Sequence, residues 1–198
     1  MIFRLLLAAA LSLGMVSAGT AQDADAPIQQ LLQEHSEIIQ KSSRRTIGPA
    51  IDAIRDSGLP EAQRVLERWS AREMWLDEET GLFVYAEEVD RDTLRIFDFA
   101  TGEAIGEVPD ETYDQLKPNS GIRGLINSAL VKFQLSDPDP ENRLSALTAL
   151  ERNGNESHLP VLRESIDGEP DPAIKARKQR IERLLTISYG ETPDERVE

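Results

Sequence analysis

Apolar side chains recur every three or four residues in the first part of the chain, the spacing that places them on one side of an α-helix. Residues 27–42 and 47–56 follow this pattern, and Ser57-Gly58 then marks a helix end. Pro60 opens a third segment, because proline suits the first turn of a helix. The pattern predicts helical hairpins over residues 22–72. We interpret His35 as a packed side chain rather than a ligand, because it lies on the stripe of Ile28, Leu31, Leu32, Ile38 and Ile39.

The hydrophobic period changes in residues 73–110, where short aromatic and β-branched runs alternate with turn sequences. The runs predict a small antiparallel β insert of three or four strands; they are MWL at 74–76, LFVY at 82–85 and LRIFDF at 94–99. Two acidic clusters, at 77–79 and 87–92, lack the ordered spacing of a calcium loop. We therefore interpret them as solvated hairpin turns.

Helical spacing resumes at about Thr112 and becomes strong from Gly121 onward. Asp139-Pro140 predicts the start of another helix. The aspartate can cap the free N–H groups of the first turn, and the proline loses nothing by lacking one.

Internal similarity predicts a repeated helix-turn-helix unit. AIDAIRDSG at 50–58 is similar to ALTALERNG at 146–154, and both are followed by Leu-Pro and a second amphipathic segment. A cap followed by proline, with a cation four residues after the cap, occurs at Asp139, Asp171 and Thr192. We predict a mainly α fold with HEAT-like helical-hairpin repeats over residues 111–198. The third entry begins a helix that the sequence does not complete, so we expect an incomplete last repeat and a fragment of a longer chain.

Residues 1–21 have the features of a signal peptide. Arg4 precedes an apolar run at 5–16, and the small residues after it suit signal peptidase at either of two sites, after Ala18 or after Ala21. We favour cleavage before Gln22. The apolar run is shorter than the roughly 20 residues that span a bilayer. We expect export, and therefore a periplasmic or other extracytoplasmic location for the rest of the chain.

Composition argues against several kinds of chemistry. The 198 residues include 36 acidic and 22 basic side chains, two histidines and no cysteine. A net charge of −14 disfavours nucleic acid as a partner, because phosphate binding depends on Lys and Arg. Disulfides, thiolate metal sites and a cysteine nucleophile are excluded, and two isolated histidines argue against a histidine-based zinc site. We find no phosphate loop, no Ser-His-acid arrangement and no carboxylate pair in an apolar setting, and we expect a protein that is not an enzyme and needs no metal or cofactor.

Three segments resemble the extracytoplasmic amino-terminal region of the urea ABC-transporter permease subunit, which is of the branched-chain amino acid permease type. They are DFATGEAIGEV at 98–108, PNSGIR at 118–123 and LSDPDPENRL at 135–144, with LPVL at 159–162 behind them. The resemblance covers nearly the whole chain. In that family this region precedes membrane helices that form half of the urea pathway, and these 198 residues do not contain them.

The resemblance implies a non-catalytic domain that supports urea uptake through protein contacts. The implied partners are a second permease subunit, cytoplasmic ATPase subunits and a periplasmic urea-binding protein, and the full-length form would lie in the inner membrane. Asn119, Arg123 and Arg143 are the candidate binding residues, because they fall in the family motifs. A structural role is the alternative for these residues, with Asn119 capping a helix and Arg143 bridging adjacent repeats. The alternative function is a free periplasmic HEAT-like scaffold unrelated to transport.

Overall fold

The computed structural model describes residues 24–189. The predicted signal peptide and the helix entry at Thr192 lie outside these residues. Within them the chain is mainly helical, with one small antiparallel sheet between two helical regions. None of the helices in this part is both long and apolar enough to cross a membrane. The helices are α1 (Pro27–Glu34), α2 (Ser36–Gln40), α3 (Gly48–Asp56), α4 (Ala62–Ser70), α5 (Ser120–Leu135), α6 (Pro140–Asn153), α7 (Leu159–Asp167) and α8 (Pro172–Tyr189).

The amino-terminal helices bury the stripes that the sequence indicates. Ile28, Ile51 and Trp69 are almost completely buried in one core with the sheet. The first predicted helix is divided, because the backbone leaves helical geometry at His35 and separates α1 from α2. The helix after Pro60 begins two residues later than its proline, at Ala62.

The sheet has five strands rather than the three or four predicted. Its order is β4-β3-β2-β1-β5, and every neighbouring pair is antiparallel. The helical signal expected from about Thr112 is wrong, because a 3₁₀ turn at Asp110–Thr112 leads into the last strand. The sheet therefore continues five residues beyond position 110. The strands are β1 (Met74–Asp77), β2 (Phe83–Asp90), β3 (Thr93–Asp98), β4 (Ala104–Pro109) and β5 (Tyr113–Gln115).

The sheet is rolled, because its two outer strands are joined by a very short connection. Pro109 ends β4 and Tyr113 begins β5. Four residues span at most about 14 Å, whereas the outer strands of a flat five-stranded sheet lie about 19 Å apart. Rolling gives the sheet an interior of its own, which contains Trp75, Val84, Ala86, Leu94 and Ile96. Its other face, including Met74, Phe83 and Tyr85, packs against the helices.

The second helical region is built around α5. This helix packs against α3 and α4 of the first helical region and against α6 and α7 of the second. Asp139 caps α6 through a 2.9 Å hydrogen bond from Glu141 N, and Asp171 accepts hydrogen bonds from the first turn of α8. Both predicted helix entries in the described residues are therefore confirmed. The two similar nine-residue segments lie in α3 and α6, each followed by a second helix, while HEAT-like repetition stays a prediction.

Candidate functional site

The candidate site is a groove whose floor is α5. This helix begins at Asn119, whose Oδ1 accepts a 3.0 Å hydrogen bond from Ile122 N. Gly121, Gly124 and Ser128 follow at spacings of three and four, so small residues lie around Leu125 on the side of α5 that faces the groove. An open channel lies above these residues, between the neighbouring helical elements.

Two helical units form the walls of the groove. α3 lies on one side, and a 3₁₀ turn (Glu156–His158) with the start of α7 lies on the other. A wide part of about 720 Å³ lies at the amino end of α5. A narrower part of about 200 Å³ continues toward Ser128 and shares Leu125, Ser157 and Pro160 with the first. We call this continuous channel the α5 groove.

Hydroxyl and amide groups lie along the wall formed by the 3₁₀ turn. The Ser128 and Ser157 hydroxyl groups are 2.6 Å apart and hydrogen-bonded to each other. Ser128 Oγ also lies 3.0 Å from the Gly124 carbonyl, and Ser157 Oγ lies 2.6 Å from Asn155 Oδ1. Because each hydroxyl has a single proton, one serine donates to the other, and the second serine donates to its own carbonyl or amide oxygen. These bonds hold the wall to the floor. The partners of both serine hydroxyls are hydroxyl, carbonyl and amide oxygens, and neither hydroxyl is hydrogen-bonded to a histidine.

A charged network joins the three elements of the groove. Arg55 on α3 pairs with Asp52 at 2.8 Å and with Asp56 at 2.6 Å. Lys132 on α5 contacts Asp56 at 2.5 Å and Glu164 on α7 at 3.6 Å. The hydrogen bond from Arg55 lowers the pKa of Asp56 to about 2, with a further contribution from Lys132. The network therefore carries fixed charges near neutral pH.

Arg44 adds a cation at the wide end. Its side chain is exposed and lies over Gly121, where a Cβ atom would come within 3.0 Å of Arg44 Cδ. Glycine at this position lets the arginine approach the first turn of α5. The wide end of the groove thus presents a guanidinium beside the hydroxyl of Ser120 and the amide of Asn155.

The structure places Asn119 and Arg123 together and Arg143 elsewhere. Asn119 is the exposed cap of α5 next to the groove, which matches the capping role considered for it. Arg123, one turn further along α5, is half-buried, and its Nε atom is buried without a hydrogen-bond partner. Arg143 lies in the separate core of α6, α7 and α8, so the three residues do not form one site.

Arg143 belongs to a buried ionic cluster. Its Nη1 atom donates to the carbonyls of Asp137 and Pro138 at 2.6 and 3.1 Å, and its Nε atom lies 3.2 Å from Glu169 Oε2. Lys178 Nζ lies 2.8 Å from the same carboxylate oxygen. Burial alone would raise the pKa of Glu169, but the two cations and the Asp171 N–H lower it below its ordinary value. The cluster fastens α6 and α8 to the turn between α7 and α8.

Sequence reasoning missed Arg44, Ser128 and Ser157 in the groove, and it missed Glu169 and Lys178 in the ionic cluster. Two patterns could have indicated them. The small residues at 121, 124 and 128 share one side of a helix, where a groove can form. Lys178 lies among Ile174, Ile181 and Leu185 on an otherwise apolar stripe. A cation on such a stripe requires a buried partner.

The groove is suited to contact with a polar surface. It is open, and it offers guanidinium, amide and hydroxyl groups. No cluster of three metal-ligating side chains occurs within residues 24–189.

Burial lowers the pKa of His158, whose Nδ1 atom accepts a 3.1 Å hydrogen bond from Asn155 N in the 3₁₀ turn. This histidine therefore caps the turn in its neutral form.

No protein-family model, curated protein or solved structure matches this chain.

Proposed function

We propose that this chain is the non-catalytic extracytoplasmic domain of a urea ABC-transporter permease subunit, and that it supports uptake by contacting the periplasmic urea-binding protein. One observation carries the proposal. The three segments that resemble the permease family coincide with three joints of the fold. A family that preserves these segments would preserve the relative positions of the sheet and the helices.

The first joint fastens the sheet to α4. Asp98 Oδ1 caps the turn after β3 through a 2.7 Å hydrogen bond from Thr101 N. Gly102 has a φ of +76°, and a Cβ atom there would lie 2.8 Å from Arg64 Nη1. Arg64 in turn donates to the Phe99 carbonyl at 3.0 Å. The motif at 98–108 thus needs this glycine both for its conformation and for the close approach of Arg64.

The second and third joints lie at the two ends of α5. The segment at 118–123 provides the Asn119 cap and the wide end of the groove. The segment at 135–144 forms the turn into α6, with the Asp139 cap and Arg143 bound to two carbonyls of the turn. Together these joints fix the two ends of the helix that forms the floor of the groove.

The α5 groove is the surface we assign to the contact. Its walls come from both halves of the chain, so its shape depends on the joints just described. Of the partners that the resemblance implies, the ATPase subunits lie in the cytoplasm and cannot reach an exported domain. A soluble binding protein, which must dock to deliver its ligand, fits an open polar surface.

Uptake of labelled urea at micromolar concentration tests the proposal. The codons for residues 24–189 are removed in frame from the chromosomal gene, and residues 1–23 are kept as the export signal. We expect uptake to fall to the level of a strain without the transporter, with unchanged growth on ammonium. Wild-type urea uptake in the deletion strain would contradict the proposal and favour a free scaffold.

A groove variant tests the contact surface. Gly124→Gln adds a side chain to the groove floor where an added Cβ meets no atom within 4 Å. It should raise helix stability by about 0.5 kcal/mol while reducing binding of the purified chain to the urea-loaded binding protein. Ala149→Gln on the exposed side of α6 is the matched control and should bind normally. Equal binding by both variants would remove the groove from the proposal.

A further inference from the structure

Two stretches of the chain that lack acidic residues meet at the wide end of the α5 groove. The chain has 36 acidic side chains, yet none of them lies in residues 38–51 or in residues 115–136. Each stretch has a charge of +3, in a chain whose net charge is −14. The six charged side chains of the two stretches are Lys41, Arg44, Arg45, Lys117, Arg123 and Lys132.

Arg44 brings the two stretches into contact. An added Cβ atom on Gly121 would lie 3.0 Å from Arg44 Cδ, so the arginine side chain rests on the first turn of α5. The border of the wide part is formed by Arg44, by the start of α5 and by the 3₁₀ turn. Glu156 in that turn is the acidic residue on this border. The wide end is therefore a basic surface with a single opposing carboxylate among the described residues.

Most of these cations are not used by the fold. Two of the six, Lys41 and Lys132, pair with carboxylates. The other four have no ion-pair partner within residues 24–189, and all but the last are exposed; they are Arg44, Arg45, Lys117 and Arg123. A partner can pair with these four without breaking an existing ion pair of the described chain.

We propose that the wide end of the α5 groove binds a short polypeptide segment rich in carboxylates, presented by the protein that docks there. The inference rests on the proposed function, because it specifies the chemistry of the surface that enters the groove. Carboxylates would pair with Arg44 and its basic neighbours. The amide of Asn155 and the hydroxyl of Ser120 can bond to the backbone of the segment. A volume of about 720 Å³ has room for a few residues.

The charge distribution favours a short segment over an extended polyanion. An anionic membrane or a nucleic acid would face a large part of the molecule outside the two stretches, which carries all 36 acidic side chains and only 16 of the 22 basic ones. A segment inside the groove meets mainly the nearby cations, because salt screens charges beyond about 8 Å under physiological conditions.

A labelled peptide in which Glu alternates with Gly is the probe, and the same peptide with Gln in place of Glu is its control. Both are titrated with the purified chain at about 50 mM and about 500 mM NaCl. We expect the acidic peptide to bind at least about tenfold more tightly at the lower salt, and this preference to shrink at the higher salt.

Three variants locate the binding site. Arg44→Glu should abolish the preference for the acidic peptide, and Glu156→Gln should strengthen it. The matched control is Arg91→Glu, which makes the same change of charge at an exposed position in the turn between β2 and β3 and should bind as the wild type does. Equal affinity for the two peptides, or equal losses in Arg44→Glu and Arg91→Glu, would overturn the inference.

Further measurements separate this inference from the proposed function and from other occupants. Equal docking of the urea-loaded binding protein to the wild type and to Arg44→Glu would overturn the inference and leave the proposed function standing. No docking to either, with the acidic peptide bound as expected, would contradict the proposed function alone. Binding to phosphatidylglycerol vesicles but not to the peptide would overturn the inference in favour of a membrane. Self-association of the chain that Arg44→Glu abolishes would overturn it in favour of a second copy.

Discussion

The strongest single constraint at the residue scale is the ammonium group of Lys178. Its side chain is about 1% exposed, and it donates to the carbonyls of Leu135 and Ser165, both at 2.9 Å. The carboxylate of Glu169 completes its surroundings at 2.8 Å. The ammonium group is therefore bound to two backbone carbonyls and paired with one buried carboxylate, and one side chain joins the end of α5 to α7 and to the turn before α8.

Replacing Lys178 should be far more damaging than replacing a lysine one turn away. Lys178→Met leaves Glu169 with one cation fewer and two carbonyls without a donor, so we expect a loss of about 3–5 kcal/mol. Lys175→Met, the same substitution at a half-buried position of α8, should change stability by less than about 0.5 kcal/mol. Urea denaturation of both variants measures the difference. Equal losses of unfolding free energy in the two variants would mean that the buried ion pair of Lys178 adds nothing beyond the helix propensity of lysine.

Residues whose partners are local could be predicted, and residues whose partners are distant could not. Asn119 and Asp139 cap helices that begin within two residues of them, so their role follows from the adjacent sequence. Lys178 meets Leu135, 43 positions earlier, only when α5 and α8 pack together. The candidate site also depends on segments that are distant in sequence, because its walls are α3 and α7. Nothing in either segment indicates that α5 lies between them.

At the scale of elements, the junction between α4 and β1 contains a local conflict. Glu73 N donates to the Arg68 carbonyl at 2.8 Å and Arg72 N to the Trp69 carbonyl at 3.0 Å. This pair of hydrogen bonds ends the helix in a Schellman motif, whose left-handed position glycine normally occupies. Arg72 occupies that position with a φ of +68°.

Arg72→Gly should therefore stabilise the protein. Relief of the left-handed conformation favours glycine by about 1–2 kcal/mol, and the greater freedom of glycine in the unfolded chain opposes it by about 0.5–1 kcal/mol. We expect a net gain of roughly 0.5–1 kcal/mol. Ala71→Gly, at an ordinary φ of −73°, should destabilise by a similar amount. The thermal unfolding midpoint should rise for Arg72→Gly and fall for Ala71→Gly, and a shift of both midpoints in the same direction would contradict this explanation.

Long amphipathic elements could be predicted, whereas the last strand could not. The apolar stripes of α3, α4 and α5 are buried as their spacing indicates. Tyr113–Gln115 is only three residues long and contains a single apolar side chain, Tyr113, so its sequence gives no strand signal. It is a strand because rolling of the sheet brings it beside β1, where Asp77 pairs with Tyr113. Its partner is thus supplied by tertiary structure.

At the scale of the whole molecule, two exposed ionic networks hold helices of different units together. Asp56 joins α3 to α5 through Lys132, and Glu151 joins α6 to α8 through Arg177 and Arg180. Hydrogen bonds from Arg177 and Arg180 lower the pKa of Glu151 to about 2, as Arg55 and Lys132 do for Asp56. Both carboxylates are thus more acidic in the folded chain than their ordinary values of 4.5 and 3.8.

The two networks predict how stability falls in acid. Because folding lowers both pKa values, the unfolded chain takes up protons first as the pH falls, and the stabilisation from these pairs is lost between about pH 4.5 and pH 2. Asp56→Asn and Glu151→Gln should each destabilise on the order of 1 kcal/mol at pH 6, and the deficit should shrink steadily toward pH 2. Urea denaturation at pH 6, 4 and 3 measures this convergence, with Glu34→Gln at the exposed end of α1 as a control that should follow the wild type. Deficits that stay constant across this range would show that the two carboxylates act through packing rather than charge.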